Sequence, residues 1–221
     1  MVAVFFILEV NKLLSFKTII GQNVAELTEK RSRFIATIKH VETEEEATNF
    51  INEMKAKYWD ARHNVYAYIL NDNNLVRFSD DGEPHGTAGK PVLDVIAGRE
   101  LKNVAIVVTR YFGGILLGTG GLVRAYSSAA ILAADNADIS QMVECSVADI
   151  NCDYSQYDKL KKLLEECGAV ILDTIFENAI KISFYIDSSE FSKLNDKLID
   201  VFFGNLSAKQ INLQFFPIKI N

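Results

Sequence analysis

Proline, histidine, cysteine and tryptophan are all scarce in this chain: three, three, three and one among 221 residues. Each scarcity removes a class of answer. The cysteines (Cys145, Cys152, Cys167) are odd in number, form no CxxC pair, and lie far from His40, His63 and His85. An oxidised framework needs an even set, so they read as reduced thiols of a cytoplasmic protein, and no structural zinc site is expected. Long hydrophobic runs are missing too. Met1–Leu8 is apolar, but Glu9 and Lys12 interrupt it, and neither a basic region before it nor a small-residue cleavage site after it is present. It is too short to span a bilayer and poor as a signal peptide, so residues 1–16 are expected to be a leader or an edge strand, with no membrane partner. Internal repeats and low-complexity tracts are absent as well.

What is present is an ordinary globular composition, 49% hydrophobic and 24% charged, enough to bury the core of one large domain or two small ones. The net charge of −6 argues against wholesale non-specific nucleic-acid binding but leaves room for a local basic face.

A further absence divides the chain. After Asp138 there is no arginine and no histidine, and only two of the twelve glycines remain, Gly168 and Gly204. Charge does not divide this way: residues 1–138 carry 15 Lys+Arg against 17 Asp+Glu, and residues 139–221 carry 8 against 12. Arginine, histidine and glycine build polar sites and close backbone approaches, so the first half reads as functional and the second as supportive. The expected domains are residues 17–138 and 139–221, with the boundary between Asn136 and Met142.

In the second half, Val143–Ile150 alternates as a strand and Ser155–Cys167 has helical spacing closed by Gly168. Val170–Phe176 and Ala179–Ile186 flank a hairpin turn. A helix capped by Ser188 or Ser189 runs to Phe203, and Gln210–Phe216 is a last strand. The order βαββαβ is ferredoxin-like. In the first half, Arg33–Val41 alternates, Thr43 and Glu46 open a helix to Tyr58 as a capping box, and Asn64–Leu70 pairs with Leu75–Ser79. A helix with Pro91 in its first turn runs to Ala97, Val104–Thr109 is a buried strand, and a long helix spans Gly120–Asp135. Trp59 is expected in the core.

Two constellations can carry chemistry. Thr109–Arg124 runs from a buried strand through a loop containing Gly113, Gly114, Gly118, Gly120 and Gly121 into a helix, bracketed by Arg110 and Arg124. Helix N-terminal amides receive anions, and arginine forks match phosphate, while Tyr111 and Phe112 offer stacking faces. No Gly-Lys-Ser/Thr follows, so this is not a P-loop, and tight helix–sheet packing explains the glycines equally well. Gly120→Val is expected to misfold the domain by obstructing the strand-to-helix turn. The second constellation, Ser79–Pro91, gathers Asp80, Asp81, Glu83 and His85 in a turn-rich loop. Acid–base work is conceivable there, but adjacent acids in such loops are commonly turn-formers and caps, and no metal-ligand spacing is present.

Taken together, Lys30–Phe34, Ala61–Asn64, the Ser79–Pro91 loop and Arg110-Tyr-Phe-Gly-Gly…Leu-Gly-Thr-Gly-Gly-Leu-Val-Arg-Ala-Tyr126 resemble the signature of the YigZ/IMPACT family. The remainder resembles the ferredoxin-like C-terminal domain of its bacterial members, similar to a domain of elongation factor G. The resemblance implies an α+β protein of two domains, ribosomal protein S5 domain 2-like followed by ferredoxin-like. Eukaryotic relatives are translational regulators that act with an additional N-terminal RWD domain not found in these 221 residues. The expected function is therefore a non-catalytic, translation-linked module binding RNA or the ribosome, with a translation factor or regulatory protein as a further partner and no cofactor. Its expected contacts are Arg33, Arg62, His63, Lys90, Arg110, Arg124 and the five loop glycines. The alternative is a nucleotide-binding phosphotransfer or hydrolytic enzyme using Gly113–Gly121 with Asp80, Asp81 and His85; the fold analogy with small-molecule kinases carries it. If either arginine instead pairs with Asp80, Asp81 or Glu83, its role is structural.

Overall fold

A computed structural model of the chain describes residues 15–71 and 74–219; the expected leader thus falls almost wholly outside the described residues. The described chain is α+β and divides into two compact units, Phe16–Gln141 and Met142–Ile218.

The first unit contains β1 (Ser15–Ile19), β2 (Gln22–Glu29), β3 (Ser32–His40), α1 (Glu44–Lys57), β4 (His63–Ile69), β5 (Val76–Ser79), α2 (Gly89–Gly98), β6 (Val104–Tyr111) and α3 (Thr119–Asp135). Five strands form a sheet in the order β2-β3-β6-β4-β5. Each of its pairings is antiparallel. The alternation of each strand assigns its side chains to one of two layers. Phe34, Ala36 and Ile38, Val65 and Ala67, and Val104, Ile106 and Val108 pack with Val92 and Ile96 of α2 and with Ala125, Tyr126 and Ala129 of α3. Ala105, Val107 and Tyr68 face the other way, against Ala47, Phe50 and Met54 of α1. Strand β6 is buried on both faces, which is why it reads as an uninterrupted β-branched run.

α1 is capped as its spacing foretold at Thr43, whose Oγ1 accepts the Glu46 N–H at 3.1 Å. The return bond differs: Glu46 Oε2 accepts from Glu42 N–H at 2.8 Å, one residue earlier than a capping box requires. Two strands were not anticipated, β1 and β2. β2 is an edge strand whose burial alternates weakly, so polar residues hide its periodicity. The stretch Lys30–Arg31 is the two-residue turn of the β2–β3 hairpin, with Glu29 paired to Ser32. Trp59 does not enter the core; it is 82% exposed in the α1–β4 connection.

The second unit runs β7 (Ile139–Cys152), α4 (Tyr157–Glu166), β8 (Val170–Phe176), β9 (Ile180–Asp187), α5 (Phe191–Val201) and β10 (Lys209–Lys219). β9 lies between β7 and β8, and β10 pairs with β7. This is the ferredoxin-like βαββαβ order read from the periodicity. Leu160 and Leu164 of α4 and Leu194 and Leu198 of α5 pack on Ala148, Ile150, Ile182 and Phe184. Gly168 ends α4 with φ +80, the left-handed C-cap its sequence foretold. No serine caps α5: the helix begins after Glu190, and Ser189 Oγ donates to Asp187 Oδ1 at 2.7 Å instead.

Candidate functional site

One end of the first sheet collects most of the chemistry. The register sets His63 beside Arg110 and Arg33 beside Tyr111, so the start of β4, the end of β6 and the β2–β3 turn lie side by side. The loop from Phe112 to Gly118 then leads into α3.

At the base of this end is a buried ion pair. Arg110 Nη1 meets Glu83 Oε1 at 2.5 Å, their side chains 6% and 5% exposed. Tyr126 donates its hydroxyl to the same Glu83 oxygen at 2.8 Å. Burial, and then the Glu83 carboxylate, push the Tyr126 phenol far above its ordinary range, so it stays a donor. His63 Nδ1 donates to the Asp81 carbonyl at 2.8 Å, which leaves Nε2 facing Glu83 at 3.8 Å. The Arg110 guanidinium lies 5.5 Å from the centre of the Phe34 ring and 5.6 Å from that of Phe112. Its Nε–H has no acceptor among the described residues.

The acidic loop dissolves into separate tasks. Asp80 takes the N–H groups of Gly86 (2.8 Å), Ala88 (3.1 Å) and Gly89 (2.8 Å), capping α2 from outside its own sequence. Burial works against the Asp80 charge, yet the amides of Gly86, Gly89 and Ala88 hold its carboxyl below the usual carboxylate range. Asp81 accepts from the Asn64 N–H at 2.7 Å and pairs with Lys55 at 3.1 Å. The His85 side chain is fully exposed. Only Glu83 of this group reaches the cavity described next.

That cavity encloses about 350 Å³ and is lined by Arg62, His63, Glu83, Arg110, Phe112, Leu116–Thr119 and Leu122. A second, of about 240 Å³, is lined by Leu27, Glu29, Lys30, Leu117, Gly121 and Arg124. Leu117 belongs to both, so the two adjoin. Arg62, Arg124, Lys30 and Arg31 are exposed, and among the described residues none shows an ion pair. Arg62 lies 5.8 Å from the centre of the Phe112 ring. Phe112 itself is 41% exposed. The other two expected contacts are engaged. Arg33 Nε and Nη2 each meet a Glu26 oxygen at 2.7 Å, and Lys90 pairs with Asp94 one turn along α2.

The five glycines have different physical reasons. A Cβ on Gly113 would sit 2.0 Å from the Arg31 carbonyl carbon, so this glycine lets the loop press against the β2–β3 turn. Its N–H donates to Ser32 Oγ at 3.2 Å. Gly114 and Gly118 have φ of +81 and +70. Gly120, expected to be the intolerant one, has no such constraint. Its Cβ would meet only Arg124 Nη1, at 3.8 Å, and a side chain there points into open space rather than into the turn.

Sequence reasoning did not find the exposed Trp59, the Lys30–Arg31 turn or the Glu83–Tyr126 hydrogen bond. Trp59 carries no local signal beyond its place between α1 and β4. The Lys30–Arg31 turn was hidden because β2, on one side of it, alternates only weakly.

The sequence of this two-domain α+β chain matches one family. Residues 30–134 match the Impact N-terminal domain, and residues 150–205 match a domain of unknown function, DUF1949. The IMPACT family member YvyE of Bacillus subtilis is 31% identical over 94% of this chain and 96% of its own. YigZ of Escherichia coli, also an IMPACT family member, is 34% identical over 82% of this chain and 91% of its own. A solved structure, described as that of a hypothetical protein, superposes with a TM-score of 0.59 at 31% identity, covering 90% of this chain and 98% of that one. The chain belongs to the IMPACT family. Among the described residues, no helix is long and apolar enough to cross a membrane.

Proposed function

We propose that the protein is a non-catalytic, cytoplasmic RNA- or ribosome-binding module linked to translation, and that the end of the first sheet is its contact surface. The observation that carries this reading is the gathering of Lys30, Arg62 and Arg124, exposed and with no ion pair among the described residues, around two adjoining cavities, with exposed Arg31 next to Lys30 in the β2–β3 turn. Exposed cations release counterions from a phosphate backbone, and an exposed ring stacks on bases without regard to sequence. In a chain of net charge −6, these exposed cations form a local basic face. The enzyme alternative finds no support in the loop it needs: Asp80 and Asp81 are occupied by backbone amides, and His85 projects into solvent.

The test is RNA affinity against salt for Arg124→Ala, with melting measured on the same samples. The expected loss is ten- to a hundred-fold, corresponding to about 1.5–3 kcal/mol for a charge-assisted contact. The log–log salt slope should become shallower by roughly 0.7–0.9. An unchanged slope with wild-type affinity would remove Arg124 from the surface and with it the reading.

A further inference from the structure

The larger cavity has more shape than a surface groove needs. Its floor is buried: Leu117 and Leu122 are 9% and 6% exposed, and the Glu83 and Arg110 side chains are as deeply covered. Its rim is open, with Leu116 82% exposed. A recess of about 350 Å³ with a buried floor is of a size to take a single nucleotide or a chain end.

The charges decide what kind of group enters. Glu83 and Arg110 cancel. Arg62 has no carboxylate partner among the described residues, and the N-terminus of the 17-residue α3 adds roughly half a positive charge at Gly118–Thr119. This balance of charge suits an anion. The buried Arg110 Nε–H, which lacks an acceptor, is an independent sign of the same kind: a buried donor left unpaired asks for a partner. The rest of the wall is Phe112, Leu116, Leu117, Leu122 and Pro84, an apolar lining that suits a flat ring.

We propose that this cavity binds one nucleoside monophosphate unit, with its phosphate on Arg62 and the first amides of α3 and its base against the apolar wall. The inference deepens the RNA-binding reading and rests on it for the source of the nucleotide. That source is either a free mononucleotide or the 5′-terminal nucleotide of an RNA.

The test is calorimetric titration of the full chain with AMP, GMP, adenosine, inorganic phosphate, and one short RNA carrying either a 5′-phosphate or a 5′-hydroxyl. A free mononucleotide source predicts saturable binding at least about tenfold tighter than phosphate or nucleoside alone. A chain-end source predicts the same margin for the 5′-phosphorylated RNA over the 5′-hydroxyl RNA. In either case Arg62→Ala removes the difference without changing the melting temperature. Equal affinity of the two RNAs together with no mononucleotide binding, binding no tighter than inorganic phosphate, or indifference to Arg62→Ala overturns the proposal. Salt-dependent RNA binding that survives such a result leaves the surface reading standing; mononucleotide binding without RNA binding retires the surface reading alone.

Discussion

Arg110 shows how a residue can match a functional pattern and still spend its charge internally. Its position after a buried strand and before a glycine loop reads as a phosphate ligand, but its Nη1 is held by Glu83 beneath Phe112. Removing one member of a buried pair strands the other charge, at about 3–5 kcal/mol. Arg110→Met is expected to lower stability by that amount in urea unfolding, and adding Glu83→Gln to recover most of it, because glutamine stays neutral and still accepts from Tyr126. If the double variant is no more stable than the single one, charge stranding is not the cause. Gly113 and Gly120 make the second contrast at this scale. Gly113→Ala forces a Cβ against the Arg31 backbone and should destabilise by at least ~1–3 kcal/mol. Gly120→Ala meets only Arg124 Nη1, at an unstrained 3.8 Å, and should be neutral or gain up to about 0.5–1 kcal/mol. Thermal melting of the two variants checks both, and a Gly120 variant that melts earlier than Gly113→Ala contradicts the assignment.

At the scale of elements, the β2–β3 turn carries the clearest compromise between stability and function. Lys30 and Arg31 have φ of +45 and +66, the pattern of a type I′ hairpin turn that asparagine and glycine suit best. Holding an ordinary residue there costs about 1–2 kcal/mol. The double substitution Lys30→Asn with Arg31→Gly should raise stability by about 1 kcal/mol while weakening RNA binding and flattening its salt dependence. Unchanged RNA binding in the more stable protein would show that the turn's charges are incidental. The elements also show what was legible. α1, β6, α3 and the whole βαββαβ order follow from periodicity, because each buries one face or both. β2 escaped because an edge strand needs little apolar alternation. The start of α2 was legible through Pro91, but its cap was not, because Asp80 comes from a loop eight and nine residues before the Ala88 and Gly89 amides it takes. Within the site, the arginines and glycines were visible as residue types. Which arginine is neutralised and which glycine is pressed against backbone depended on contacts between segments, such as Glu83 with Arg110 and Gly113 with Arg31, which no local spacing encodes.

At the scale of the whole molecule, the two units each have their own core, and the second is built without the arginine and histidine that make the first a candidate binding surface. We propose that residues 143–221 fold alone, since the core of Ile150, Leu160, Ile182, Phe184 and Leu198 lies entirely within them. A cooperative melt and a dispersed amide spectrum are expected from that fragment, and a disordered spectrum would overturn the division. The central claim is that RNA meets the first unit where Phe112, Lys30, Arg31, Arg62 and Arg124 are exposed. Ultraviolet crosslinking of bound RNA, with adducts located by mass spectrometry, tests it most directly. Adducts should concentrate in peptides spanning residues 57–63 and 110–118 and diminish as salt rises. Adducts confined to residues 142–218, or spread without preference over both units, would contradict it.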